Sequence, residues 1–285
     1  MKLALCQTCS GTDKAANLDE IERFAERAAA EGADLAVFPE FSMYCQPAMN
    51  AEFAAQAEAL DGPFATRLGE IASRLGIVLV AGMLERSGAA APGGAGEAGG
   101  AGGAEASGPD PDPRPSNALV AATPDGIAAV YRKAHLYDAF GYRESEFIRP
   151  GDLEGPVTLE VGGVRVGLLT CYDLRFPEAA RQHADAGVDL LLYPAAWVPG
   201  PRKEDHWQTL ARARAIENTL YVGALSQAPR SGVGGSLIVD PMGVVLGEIG
   251  ERPGIALAAI DPERIAQVRA ANPSLLNRRF TVAPR

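Results

Sequence analysis

Cys171 closes the apolar run "VGLLTC", and the polar stretch "YDLR" follows it at once, with Pro177 placed to open a helix. A thiol at such a boundary can attack a carbonyl carbon if a neighbouring base takes its proton. A thiol left inside an apolar strand is ordinarily an inert core residue, so its company decides between the two. Glu40 follows the apolar run "LAVFP" and stands between Phe38 and Phe41. That desolvating setting suits a carboxylate to proton transfer near neutral pH. Lys133, in "YRKAHLYD", follows a third apolar run. Thiol, carboxylate and ammonium together make an acyl-transfer set in which the cysteine attacks, the glutamate moves the proton and the lysine stabilises the oxyanion. No histidine is required.

Such groups need rigid strand ends to hold them, and the chain supplies a repeated unit that does so. Residues 18 to 32, "LDEIERFAERAAAEG", have helical periodicity through Leu18, Ile21, Phe24 and Ala25 and run into "ADLAVFPE". After Cys171 the design recurs: Pro177 in a first helical turn, an alanine-rich helix to Gly187, then "VDLLLYPAAW". The stretches "GADLAVFPE" (32–40) and "GVDLLLYPA" (187–195) are near-copies, which predicts two half-folds with Glu40 and Cys171 in comparable places. Further strands are expected at 2–7, 77–83, 118–122, 128–131, 164–170, 220–225, 236–239, 244–247 and 255–260, and helices at 64–75, 203–218 and 262–271. About ten strands interleaved with helices predict an α/β protein with reactive groups at strand tips. Residues 87–116 are poor in large apolar side chains and cannot offset their own ordering entropy, so they are expected to form a flexible insertion within a single domain spanning 1–285.

The chain has 285 residues, 47% of them hydrophobic, which is ample for a large core. Its net charge of −10 opposes binding to a phosphate backbone or an anionic membrane surface, so neither nucleic acid nor membrane is an expected partner. The N-terminus lacks the apolar stretch of a signal peptide, and the four cysteines, at 6, 9, 45 and 171, are too few for a disulfide scaffold. A reducing, cytoplasmic location is the expectation. Cys6 and Cys9 form a lone C-x-x-C, and His135, His183 and His206 have no metal spacing, so no metal is expected. His206 is a candidate for shaping the pocket. The glycines of "GVGGS" (232–236) fit a turn before a strand and match no phosphate loop.

The motifs "FPEF" around Glu40, "YRKAHLYD" around Lys133 and "TCYDLRFPE" around Cys171 resemble, in order and spacing, the Glu-Lys-Cys triad of the carbon-nitrogen hydrolase, or nitrilase, superfamily. Supporting similarity runs from Lys2 to Arg279 through "GYRESEFIRPGD", "PAAW", "HWQTLARARAIENTLYVGALSQ" and "GSLIVDPMGVVLGE". The resemblance implies a four-layer α-β-β-α sandwich of two stacked mixed sheets, a homodimer or higher homo-oligomer, and hydrolysis through a cysteine thioester without a cofactor. It also implies a second active-site glutamate, matched by Glu144 or by Glu146 two residues on, and an oxyanion pocket that uses Lys133 and the main-chain N–H of Tyr172. Tyr44, Ala195 and Trp197 are further candidate substrate-contacting residues.

Nitrilases proper resemble Cys-Trp-Glu after the nucleophile, whereas this chain has Cys171-Tyr172-Asp173, as in amidase branches such as omega-amidase and deaminated glutathione amidase. N-carbamoyl-D-amino-acid hydrolases resemble a paired arginine after the aspartate, and Leu174 replaces the first of that pair. The expected substrate is a small amide bearing a carboxylate, with Arg175, Arg143 and Arg202 as cations near the pocket mouth. Arg175 could instead pair with Asp173 and hold its own loop. An N-carbamoyl-amino-acid amidohydrolase is the alternative within the enzyme class, and a nitrilase or a catalytically silent binding module stands further off.

Overall fold

The computed structural model describes residues 1–86, 112–152 and 154–283. The first half of the chain runs β1 (Lys2–Gln7), α1 (Lys14–Ala30), β2 (Leu35–Val37), α2 (Glu52–Gln56), α3 (Pro63–Leu75), β3 (Val78–Glu85), β4 (Ser116–Thr123) and β5 (Gly126–Arg132). The second half runs β6 (Thr158–Val161), β7 (Val164–Leu168), α4 (Pro177–Asp185), β8 (Leu190–Ala195), α5 (Lys203–Asn218), β9 (Tyr221–Ser226), β10 (Leu237–Val239), β11 (Val245–Glu248), β12 (Gly254–Ala259) and α6 (Pro262–Ala271).

Local chemistry sets the helix ends. Asp13 caps α1 by accepting from the N–H groups of Ala15 and Ala16, Pro63 opens α3, and Gly76 closes it at a φ of 67° that a side chain would strain. Gly32 and Gly187, which precede the twin strands, share a φ of 77°. Two-residue alternation then sorts each strand's side chains: Leu3 and Leu5 face one apolar core, Ala4 and Cys6 the other.

The strands form two six-stranded sheets, ordered β12-β1-β2-β3-β4-β5 and β11-β10-β9-β8-β7-β6. In each, three central strands are parallel (β1, β2, β3 and β7, β8, β9) and the flanking strands antiparallel. The sheets stack through one core, with Leu3, Leu5, Leu35, Val37 and Val80 of the first meeting Val166, Leu168, Leu192 and Val222 of the second. α1 and α3 cover the first sheet, α4 and α5 the second, which completes the four layers. The chain's last strand, β12, returns to the first sheet beside β1, Lys2 opposite Ala259. No helix among the described residues is long and apolar enough to cross a membrane.

Three expectations need correction. The strand β6 was not expected, although "VTLEVGGVRV" carries a hairpin signal in Gly162 and Gly163, whose φ values are 54° and 76°. The insertion expected at 87–116 is too long at its far end. Arg149 donates its N–H to Pro115 O at 3.0 Å, and Ser116 already pairs with Glu85 in the sheet. Residues 87–111 lie outside the described residues. Finally, the twin relation is shifted by one strand: β2, which precedes Glu40, corresponds to β8 and Ala196, whereas Cys171 follows β7, the counterpart of β1.

Candidate active site

Glu40 lies three residues past β2, in a chain path that Gly82 of β3 permits. A Cβ on Gly82 would stand 2.5 Å from Phe41 N and 2.8 Å from both Glu40 Cα and Pro39 O, all backbone atoms that cannot swing aside. Phe41 accepts a φ of 59° to turn the chain there. Gly82→Ala is therefore expected to displace Glu40, lowering kcat by about 10²-fold and stability by about 1–3 kcal/mol. Steady-state kinetics and urea unfolding check it, and a variant with normal kcat would show that this close approach does not position Glu40.

Cys171 begins a short 3-10 turn, Cys171–Arg175, and itself takes a φ of 45°. Strain of this kind on a non-glycine residue persists only where the surroundings over-determine it. Here Asp173, fully buried, does the holding: it accepts from Thr170 N at 2.8 Å, Tyr131 OH at 2.7 Å and His135 N at 3.2 Å, with His135 Nδ1 at 2.7 Å. The amides of Cys171 and Tyr172, at the start of the turn, have no partner within it. Arg175 does not pair with Asp173. Its guanidinium lies over the rings of Trp197 and Phe140, and Nη2 is 3.3 Å from His206 Nδ1.

Lys133, at the end of β5, is 2% exposed and stands between two carboxylates, Nζ lying 2.9 Å from Glu40 Oε1 and 2.7 Å from Glu144 Oε2. Asn117 of β4 donates to both, at 2.7 Å to Glu40 Oε1 and 3.1 Å to Glu144 Oε1. Ala196 N donates to Glu40 Oε2 at 2.7 Å, so the tips of the twin strands do meet, through carboxylate and amide. Tyr137 N donates to Glu144 Oε2 at 2.7 Å. Glu146, by contrast, is half exposed and pairs with Arg143 at 3.2 Å. Glu144 is the one that reaches Lys133.

Burial opposes the Lys133 ammonium, but Glu144 and then Glu40 outweigh it, so its pKa stands well above the ordinary lysine value. Burial raises Glu144, aided by Glu40 and opposed by Lys133. Burial also raises Cys171 well above an ordinary thiol, with the negative charge of Glu40 adding to it and Lys133 opposing. These surroundings favour the neutral thiol at Cys171. Alkylation of Cys171 by iodoacetamide, followed by peptide mapping, is expected to keep accelerating beyond about pH 9, where an ordinary thiol near 8.5 would be levelling off. A plateau below pH 8 would contradict this state.

Glu40, Lys133, Glu144 and Cys171 share one cavity of about 180 Å³, walled by Phe41, Phe53, Met49 and Tyr137, with Arg230 and Ser231 also on its lining. Tyr172, Trp197 and Lys203 lie on a narrow cleft that shares Tyr137, Cys171, Ala196 and Val198 with this cavity. Lys203 Nζ donates to Tyr137 OH at 2.9 Å and is ringed by Tyr137, Phe140 and Trp197. Tyr44 packs edge-on to Phe53 with its hydroxyl on Gln46 and Glu52, behind the cavity wall, and Ala195 is buried beside Ala196, which does line it. Arg143 and Arg202, expected near the mouth, are about three-quarters exposed and paired with their own neighbours Glu146 and Asp205. Neither lines the cavity. Asn117 was missed, although a polar amide within the apolar strand "NALVAA" is a signal of a buried partner. For Lys203 and Arg230 the sequence carries no such signal.

The chain matches the protein family described as "Carbon-nitrogen hydrolase" over residues 2–270. A hydrolase of Mycobacterium tuberculosis is 39% identical over 287 residues, covering 94% of this chain and 92% of that protein. A deaminated glutathione amidase of Synechocystis is 36% identical over 288 residues, with 97% of both covered. Among solved structures, a CN-hydrolase superfamily protein from Xanthomonas campestris with an arsenic adduct in its active site superposes with a TM-score of 0.81 at 28% identity, covering 100% of this chain and 99% of the other. An amidase from Nesterenkonia sp. AN1, with acrylamide added to its active-site cysteine, gives a TM-score of 0.74 at 28% identity, covering 95% and 97%.

Proposed function

The chain belongs to the carbon-nitrogen hydrolase family and is an amidase acting on C–N bonds other than peptide bonds, and from that premise we propose that it hydrolyses a small, carboxylate-bearing amide to acid and ammonia through a thioester on Cys171. The observation that carries the reading is the cluster itself: Cys171 and Glu40 line one cavity, Glu40 pairs with Lys133, and Lys133 pairs with Glu144.

The neutral thiol cannot attack unaided, so proton transfer to Glu40 accompanies formation of the S–C bond. The carbonyl oxygen becomes an oxyanion stabilised by Lys133 and the free N–H of Tyr172. Glu40 returns its proton to the amide nitrogen, the C–N bond breaks and ammonia leaves. Water then attacks the thioester, giving its proton to Glu40. As the intermediate collapses, the C–S bond breaks and Glu40 reprotonates the thiolate. Glu144 holds Lys133 in place and balances its charge while Glu40 is protonated. Every atom and proton is accounted for without a cofactor or metal.

Ammonia release from a panel of short amides and N-carbamoyl amino acids tests the proposal. Ammonia with the free acid is expected. Carbon dioxide alongside ammonia would replace it with the carbamoyl reading. The same reading includes a homodimer or higher homo-oligomer in a reducing, cytoplasmic setting, supported by the four free cysteines and by the exposed Leu276 and Phe280. Light scattering measures the first of these directly.

A further inference from the structure

Each of the two buried glutamates of the site is held at both of its carboxylate oxygens. Glu40 Oε1 accepts from Lys133 Nζ at 2.9 Å and from Asn117 Nδ2 at 2.7 Å, and Oε2 accepts from Ala196 N at 2.7 Å. Glu144 Oε2 accepts from Lys133 Nζ and from Tyr137 N, both at 2.7 Å, whereas Oε1 accepts from Asn117 Nδ2 at 3.1 Å. Asn117 is the one donor to Glu144 Oε1 among the described residues. The reaction steps written above give it no task.

Its place in the sheet makes Asn117 the meeting point of the cluster. β4 lies between β3 and β5, with Asn117 opposite Leu84 of β3, and the main-chain oxygen of Asn117 accepts from Lys133 N at 2.8 Å just past the end of β5. Backbone and side chain together therefore touch Lys133, Glu40 and Glu144, the two glutamates lying 77 and 27 positions away in the chain. Asn117 is 1% exposed and does not line the cavity. It does not meet the substrate.

The orientation of the amide is informative. Both neighbours are acceptors, so the NH2 group faces them, and Oδ1 is left buried without a hydrogen-bond partner. A buried polar atom in that state costs stability. A strand position filled for the fold alone would carry an apolar side chain, as the buried Ala118, Leu119 and Val120 beside it do. Neutrality matters as well. Glu40, Lys133 and Glu144 sum to one negative charge when ionised, and a second cation there would oppose the protonation of Glu40 that the reaction needs. An amide supplies two donors in a fixed plane and adds no charge.

We infer that Asn117 is a positioning residue of this reaction, whose side-chain amide fixes the rotation of both carboxylates so that Glu40 is presented to the cavity it shares with Cys171 while Glu144 stays on Lys133. The inference rests on the amide-hydrolase reading above and adds a residue that acts only through the two glutamates.

The test compares wild type with Asn117→Leu, Asn117→Asp and Asn117→Ser, each as the full chain. The readouts are ammonia release from the amide that wild type turns over fastest and a thermal melt that confirms folding. Leu is close to asparagine in shape and donates nothing, and Asp keeps the shape but puts an acceptor where the donor stood. Ser, the mildest change, ends one bond shorter and keeps the test readable where the bulkier side chain or a third carboxylate prevents folding. Each variant is expected to lower kcat by about 10- to 100-fold, the change that loss of a hydrogen bond to a charged group produces, with KM within about threefold of wild type. That split separates positioning from general damage, since a distorted cavity would weaken substrate binding and raise KM. A folded Asn117→Ser or Asn117→Leu with kcat within about threefold of wild type, or a loss confined to KM, overturns the inference and leaves the amide-hydrolase reading intact. Failure of wild type to release ammonia from any amide overturns both.

Discussion

Cys171→Ala is expected to lower kcat for amide hydrolysis by about 10³-fold or more while leaving the fold within about 1 kcal/mol of wild type. The two halves of that expectation have separate causes. Without the sulfur no thioester forms, and the remaining groups can only polarise a bound carbonyl. The fold is spared because the turn does not depend on the thiol. Asp173, held by Thr170, Tyr131 and His135, keeps the backbone of 170–173 in place whatever side chain residue 171 carries. The measurement is ammonia release beside a thermal melt. Retention of more than about a hundredth of the wild-type rate in a folded variant would sink the thioester mechanism.

Lys133→Met should cost both activity and stability, and its pH dependence separates the causes. Glu40 and Glu144 would then share Asn117 as donor with no cation between them, two like charges that are both almost fully buried. Removing one partner of such a buried cluster costs about 3–5 kcal/mol. The sign follows from protonation. Glu144 is already raised by burial and by Glu40, and without the opposing Lys133 charge its neutral form, which the fold tolerates, is present at low pH and lost as pH rises. The stability deficit against wild type is therefore expected to be larger at pH 8 than at pH 5, by urea unfolding at each. A deficit independent of pH would mean that Lys133 acts by packing alone. Hydrolysis should fall below about a hundredth of wild type at either pH, because the oxyanion loses its charged donor.

The elements were largely legible because each is written in local periodicity. α5 begins at Lys203 and ends at Asn218, as its pattern implied, and β1 spans Lys2–Gln7. Four-residue β6 was lost because it is too short to show alternation against its surroundings, and α2, at five residues, for the same reason. Cys171, Glu40 and Lys133 could be singled out as reactive groups placed where apolar runs end, and the carbon-nitrogen hydrolase resemblance rested on the same three motifs. The choice between Glu144 and Glu146 could not be made in sequence, since two residues' separation means little until the turn over 144–146 sends one inward to Lys133 and leaves the other on Arg143.

Residue types, the positions of most elements and the order of Glu40, Lys133 and Cys171 along the chain are thus legible in the sequence alone, because each depends on neighbours a few positions away. Where charges lie relative to one another is not. Arg175, Arg143 and Arg202 all seemed suited to an anion, yet stacking on Trp197 and pairing with neighbours took them elsewhere. Arg230, unremarkable in "SQAPRSG", lines the cavity while staying exposed, on a turn whose Gln227 reaches the main-chain oxygen of Glu40, 187 residues before Gln227. Asn117 reached two carboxylates, on Glu40 and Glu144, that only the β3-β4-β5 pairing brings to it. Such contacts cross the sheets between residues far apart in the chain, and it is the stacking of two parallel-centred sheets that decides which distant side chains meet.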